Sequence, residues 1–285
     1  MIELPPNGQG LSALVALNIL ECLDPEEAPP GSALEWHRRI EAVKLAFADR
    51  DCYLADPEHA DIPVEALLDK DYARRRAQRI GERALPGAEP GLSGDTTYLC
   101  TADAEGNMVS FIQSLFTGFG SGVGVGDTGV VLQSRGSGFS LDADHRNAIA
   151  PGKRPFHTII PGMLMRDGSP TLAFGVMGGD VQPQGHLAVV SNLVDWGLNP
   201  QEALDRARFR YLAGDSVRIE TPAAPASEGG SIGAALAARG HRVEASIPVE
   251  AGFFGGGQAI GRLPNGVFVG ASDRRKDGCA LPHGS

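Results

Sequence analysis

A hydroxyl nucleophile held at the start of a strand is the chemistry this chain is best equipped to perform. The run Gly94-Asp95-Thr96-Thr97 opens an alternating stretch in which Thr96, Tyr98, Cys100 and Ala102 share one face, while Thr97, Leu99 and Thr101 share the other. Ala104-Glu105-Gly106 reads as a hairpin loop with Gly106 in the left-handed position, which pairs Asp103 with Asn107. Carried up the hairpin, that register sets Thr96 opposite Ser114, with Cβ atoms about 4.5–5.5 Å apart. A Thr-Thr pair alone is an ordinary β-branched strand opening. Two hydroxyls facing each other at a strand terminus are more than a core needs, and they single out Thr96 and Ser114 as residues that could do chemistry. Thr97 competes by position, but its side chain points to the opposite face.

The elements that must hold this pair fall into two stretches. Residues 1–95 read as helical: Leu11 to Leu23; a helix with a Ser32–Glu35 capping box whose apolar face carries Trp36, Ile40, Val43 and Phe47; and a third from Pro63 to Ile80. The third ends in Arg74-Arg75-Arg76, read as a solvated face. Residues 81–95, rich in Pro, Gly and Ser, read as an exposed linker. From Thr96 onward short strands alternate with turns at Glu105-Gly106-Asn107, Asp167-Gly168 and Pro264-Asn265-Gly266. Helices are expected from His186 to Trp196, after an Asn199 cap with Pro200 at the first position, and from Ile232 to Arg239. The expectation is an α+β chain of two stacked antiparallel sheets with helices outside. It divides at residue 95 into a helical region (1–95) and a region carrying the nucleophile (96–285).

Composition narrows the function classes. The chain has 285 residues, 42% hydrophobic and 21% charged, as expected for a globular protein. A net charge of −10 argues against nucleic acid and anionic membrane as partners. No apolar run reaches the ~18–20 residues of a membrane span, and no basic-then-apolar signal opens the sequence. The scattered Cys22, Cys52, Cys100 and Cys279 argue against a zinc site or a disulfide scaffold and fit a reducing, cytoplasmic compartment.

The run GDTTYLCTADAEGNMVSFIQSLFTGFGSGV resembles the start of the small subunit of the γ-glutamyltransferase (γ-glutamyltranspeptidase) family. GKRPFHTIIPGM (Gly152 to Met163), GVMGGD (Gly175 to Asp180) and GASD (Gly270 to Asp273) continue the resemblance, and ELPPNGQGLSALVALNIL resembles the late large subunit. The resemblance implies the four-layer αββα sandwich of N-terminal-nucleophile hydrolases and a small-molecule amide substrate; with no metal-ligand spacing among the histidines, no cofactor or metal is expected. It implies self-cleavage between Asp95 and Thr96, leaving large and small subunits as a heterodimer. The freed Thr96 would use its own α-amino group, of unperturbed pKa about 7.7–8, as base. Its branched Cβ restricts χ1 and holds the hydroxyl in one orientation. Ser114 matches the hydroxyl that hydrogen-bonds the nucleophile, and Gly178-Gly179 the diglycine whose N–H groups face the oxyanion. Because the family places Met1-Ile2-Glu3-Leu4 well inside its pattern, half of the sandwich and the substrate-carboxylate arginine are expected from sequence ahead of this chain. This chain made alone is expected to have little activity.

The resemblance weakens at the amino-acid pocket. Classical members carry an asparagine where Phe116 stands, an amide and an aspartate at Arg135 and Gly138, and a serine pair at His157-Thr158. Losing an acid removes the counter-charge for an α-ammonium, and an arginine suits a carboxylate. These residues resemble the branch of oxamate amidohydrolase and cephalosporin-type acylases. Three readings therefore stand: a γ-glutamyl hydrolase or transferase, an acylase or amidohydrolase on non-amino-acid acyl groups, and an inactive fragment needing a separate first half.

Other motifs carry less. The glycines from Gly118 to Gly126 lack phosphate-loop spacing and read as a loop beside the site. Gly229-Gly230-Ser231-Ile232-Gly233 satisfies GxSxG, but no apolar strand precedes it, so Ser231 reads as a helix N-cap. Cys100 reads as a buried apolar cysteine and Asp142, Asp144 and His145 as exposed loop residues. The seven histidines show no metal-ligand spacing.

Overall fold

A computed structural model describes residues 1–87, 95–220, 231–244 and 253–282, with Asp95 placed by its backbone alone. Gly94, Gly229, Gly230 and linker positions 88–94 lie outside the described residues.

Helix α1 (Gly10–Glu21) buries Leu11, Val15 and Ile19 at helical spacing. Helix α2 (Ala33–Tyr53) is capped by Ser32, whose Oγ accepts from Glu35 N at 3.1 Å. The Glu35 carboxylate overshoots the cap and accepts from Gly31 N instead, so the capping box closes one residue further out. Trp36, Ile40, Val43 and Phe47 form the buried stripe of α2, as their spacing requires. The expected third helix is two: α3 (Val64–Leu68) and α4 (Lys70–Ala77). Asp69 adopts extended dihedrals and turns its carboxylate to Tyr72 N at 3.0 Å, because a short acid caps a new helix better than it continues an old one. The basic run is not wholly solvated either, since Arg76 pairs with the buried Asp49.

Strands β1 (Asp95–Ala102) and β2 (Met108–Phe116) form the expected hairpin. Asp103 N donates to Asn107 O at 3.1 Å, and Gly106 has φ +90°. Strands β3 (Gly162–Arg166) and β4 (Ser169–Met177) turn at Asp167-Gly168, both at positive φ, and helix α5 (Val181–Val194) follows. Helix α5 starts five positions before His186, taking in Pro183 and Gly185, with Pro183 in the first turn, where its missing N–H costs nothing. Asn199 and Glu202 form a reciprocal capping box on α6 (Pro200–Asp205). Strands β5 (Phe209–Ala213) and β6 (Ser216–Ile219), helix α7 (Ile232–Ala238, with Ser231 as N-cap) and strand β7 (Arg242–Glu244) build a sheet of order β5-β6-β7. Strands β8 (Gly256–Arg262) and β9 (Phe268–Ser272) complete a sheet of order β3-β4-β8-β9.

Alternation along β4 sets the layers. Phe174 and Val176 face the helices, where Phe174 meets His186 at 4.8 Å between ring centroids and Gly185 admits Val176. Gly175 and Met177 face the hairpin: a Cβ on Gly175 would come within 2.4 Å of the Tyr98 ring, and Met177 packs with Tyr98 and Ile112. The hairpin thus lies on one face of the four-stranded sheet, and α5 and α6 cover the other. Beyond them α1, α2, α7 and the β5–β6 pair share the larger core. Leu99, Val109 and Phe111 project from the outer face of the hairpin and are exposed. Among the described residues no helix is long and apolar enough to cross a membrane.

Candidate active site

The hairpin delivers Thr96 to the end of β4. Ser110 Oγ donates to Phe174 O at 3.2 Å, and one pair further along Tyr98 covers Gly175 and touches Met177. The next inward position of β1 is Thr96, and the residues that follow Met177 are Gly178-Gly179. Register holds as expected from Thr97↔Gln113 to Ala102↔Met108. It then shifts: Asp95 pairs with Phe116, so β2 bulges at Ser114-Leu115, two residues that together oppose Thr96. Strict alternation cannot foresee this, because a bulge places an extra residue in one strand and bends it. Thr96 is half-buried and Thr97 exposed. Ser114 Oγ accepts from Phe116 N at 2.9 Å.

Both glycines of the pair adopt positive φ, +132° at Gly178 and +64° at Gly179. Gly178 backs onto Gly255 so closely that a Cβ would approach its Cα at 3.2 Å. Their carbonyls are committed inward: Gly178 O accepts from Val181 N, and Gly179 O from Gln182 N and from Gln9 Nε2 at 2.9 Å. Gln9 also donates to Thr158 O at 2.8 Å, tying the diglycine to the segment after Lys153-Arg154-Pro155. Arg50 lies 3.3 Å from Asp180 and stacks on Phe47 at 4.0 Å. Gln9 lies in the run ELPPNGQGLSALVALNIL, which does not announce its partners, and Arg50 in none of the motifs above; only folding brings them to the diglycine.

The departures from the family pattern assemble into one cluster. Arg135 is 2% exposed and donates through Nη1 to Thr158 Oγ1 at 2.9 Å. Its guanidinium carbon lies 4.9 Å from the centroid of the Phe116 ring. Its Nε and Nη2 have no hydrogen-bond partner among the described residues. Desolvation lowers its pKa to about 10, so it stays charged at neutral pH. His157 is pushed down to about 4, first by burial and then by the Arg135 charge. Ile159 N donates to His157 Nδ1 at 3.3 Å, so this neutral ring keeps its proton on Nε2. Gly138 sits against this cluster, where a Cβ would reach Phe156 O at 3.0 Å.

A family model described as Gamma-glutamyltranspeptidase matches residues 1–283. The chain belongs to the gamma-glutamyltranspeptidase family. It is 47% identical over 207 residues to the glutathione hydrolase-like YwrD proenzyme of Bacillus subtilis, covering 73% of this chain and 39% of that protein. It is 38% identical over 284 residues to the oxamate amidohydrolase proenzyme of Klebsiella pneumoniae, covering 98% and 52%. The solved cephalosporin acylase of Bacillus halodurans superposes with a TM-score of 0.89 at 47% identity, covering 99% of this chain and 51% of that one. The chain therefore spans about half the length of such relatives, or less. Its fold is that of the N-terminal-nucleophile hydrolases of this family, as its motifs imply.

One group in this family member escapes sequence reading. His37, Glu41 and His241 bring potential ligand atoms within 4.8 Å of one another, although the two histidines are 204 positions apart. Lys44 Nζ lies 2.9 Å from Glu41 Oε1, so an ammonium already neutralises the carboxylate a metal ion would need. Cys100 is half-buried, and burial pushes its thiol up to about 11, which leaves it a poor nucleophile at neutral pH. Asp142, Asp144 and His145 are exposed.

Proposed function

We propose that this chain supplies the nucleophile half of a self-processing amidohydrolase. Thr96 Oγ attacks the Asp95 carbonyl carbon, the C–N bond breaks, and the Thr96 nitrogen takes the proton, leaving an ester. Water opens the ester to an Asp95 carboxylate and the Thr96 hydroxyl, beside the α-amine freed in the first step. That amine then serves as base for the hydroxyl beside it. Attack on a substrate amide develops an oxyanion toward the Gly178 and Gly179 amides, and the departing amine takes the proton. Water, or a second amine, resolves the acyl-threonine. The observation that carries this reading is the approach of Thr96, opposite a bulge in β2, to the end of β4 where two positive-φ glycines follow. N-terminal sequencing of the mature full gene product tests it: a new terminus at Thr96 is expected, and an active protein without one overturns it.

The acyl group, on this reading, carries a carboxylate and no α-ammonium. A buried guanidinium costs several kcal/mol unless an anion meets it, and two nitrogens of Arg135, Nε and Nη2, have no partner among the described residues. Among the described residues no carboxylate pairs with it. The likeness to an oxamate amidohydrolase, whose named substrate bears a carboxylate next to its amide, points the same way. The likeness to a glutathione hydrolase-like proenzyme favours γ-glutamyl compounds instead. Competition between glutaryl and γ-glutamyl anilides separates the two.

A further inference from the structure

Residues 81–87, read from sequence as linker, are tied to the body at nearly every step. Gly81 O accepts from His37 Nε2 at 2.9 Å and Glu82 O from Arg239 Nη1 at 3.1 Å. Ala84 N donates to Arg239 O at 2.8 Å. Leu85 is gripped at both ends: its N–H donates to Glu41 Oε2 and its carbonyl accepts from Lys44 Nζ, each at 2.9 Å. Gly87 then lies so close to its neighbours that a Cβ would come within 1.9 Å of Gly214 O and 2.2 Å of the Tyr211 hydroxyl.

The gripping side chains are buried although the segment they hold is at the surface. Because Gly81 O can only accept, His37 carries its proton on Nε2 and offers a lone pair on Nδ1. His241 Nε2–H fills that lone pair at 2.8 Å. Burial lowers the pKa of both rings, so both are neutral. The Glu41–Lys44 ion pair beside them is 0–1% exposed. A buried ion pair is a costly way to pack a helix, and apolar residues of the same volume often serve stability as well or better. What this one adds is a donor and an acceptor for a single backbone residue on the segment that leads to Asp95.

We infer that His37, Glu41, Lys44 and His241 form a clasp that positions the Asp95–Thr96 bond for self-cleavage, an inference that rests on the threonine reading above. Intramolecular attack succeeds when the reacting atoms are held near contact, and its rate falls when one side of the bond swings free. The β1–β2 ladder ends at Asp95, opposite Phe116, and the clasp anchors the chain ten residues further upstream, at Leu85. These are positioning residues; none touches the reacting atoms.

The test is the processing rate of the full gene product carrying Glu41→Leu and Lys44→Leu together. This exchange removes both grips on Leu85 and leaves an apolar core in place of the ion pair. Cleavage is expected to slow about tenfold or more, the change expected from losing two hydrogen bonds. The melting temperature and the turnover per processed molecule are expected to stay near those of the parent. Glu41→Gln with Lys44→Gln restores an acceptor and a donor for Leu85 and is expected to recover the rate. Should the leucine pair not fold, Leu85→Pro removes one clasped N–H from the segment side and is expected to slow cleavage about threefold to tenfold. Parent-like cleavage in these variants overturns the clasp, as does slow cleavage matched by equal loss of turnover or left unrescued by the glutamine pair. A parent that never yields a Thr96 terminus overturns the threonine reading instead.

Discussion

The Arg135 guanidinium lies 4.9 Å from the centroid of the Phe116 ring, and Phe116 itself holds a φ of +79°. A bulky residue at positive φ is strained and persists only where its surroundings hold it there. Here the ring covers one face of a buried cation, and Thr158 takes one N–H of its fork. Phe116 and Arg135 thus form one unit, a buried cation under an aromatic ring. Arg135→Gln is expected to reduce kcat/KM for a glutaryl anilide by about 10–150-fold, the equivalent of one or more hydrogen bonds to a charged group. Turnover of a γ-glutamyl anilide should fall less. Equal loss on both substrates counts against Arg135 as the anchor.

Thr96 variants separate the two jobs given to its side chain. Thr96→Ala should yield an uncut, inactive protein by intact mass. Thr96→Ser keeps the hydroxyl and loses the χ1 restraint, so it should cleave more slowly and retain part of the activity. Full cleavage of Thr96→Ala would move the nucleophile elsewhere.

Gly175→Ala tests the docking of the hairpin on the sheet. A Cβ there would stand 2.4 Å from Tyr98, well inside contact distance, so the ring or the strand must move. Overpacking of this kind costs about 1–3 kcal/mol. The variant should melt several degrees lower and cleave more slowly, since displacing Tyr98 shifts Thr96 two residues away. Parent-like melting and cleavage would show that the layers slide freely here.

Buried neutral histidines set the acid limit of stability. His241 is pushed down to about 3, first by desolvation and then by Lys44, and His37 is also lowered. An unfolded histidine titrates near 6.5, so below that pH the unfolded chain binds protons that the folded one refuses. Stability should therefore fall as pH drops from about 6.5 toward 3, by about 1.4 kcal/mol per pH unit for His241, with His37 acting in the same direction. Urea melts at pH 7 and pH 5 should show the drop, and His241→Gln, whose side-chain amide can still donate to His37, should lessen it. An unchanged pH slope in the variant would assign acid sensitivity to other groups.

Local signals carried much of the architecture. The Asn199 capping box, the Asp167-Gly168 turn and the Asp103–Asn107 hairpin depend on residues within a few positions of one another, where side-chain reach and backbone sterics decide the outcome. The stripe of Trp36, Ile40, Val43 and Phe47 is legible for the same reason. The family motifs, all in order, told which residues to watch. The break at Asp69 was lost because capping competes there with continuing a helix, and the margin between them is small.

What tertiary structure alone decided is long in sequence and short in space. Gln9 bridges Thr158 and Gly179 across 149 and 170 positions, and His37 meets His241 across 204. Nothing near Gln9 or His37 announces these partners, because a hydrogen bond reads distance in space and not along the chain. The β2 bulge opposite Thr96 belongs to the same class. Alternation determines which face a strand residue takes as long as pairing is regular, and whether pairing stays regular at a strand end is decided by what the strand packs against.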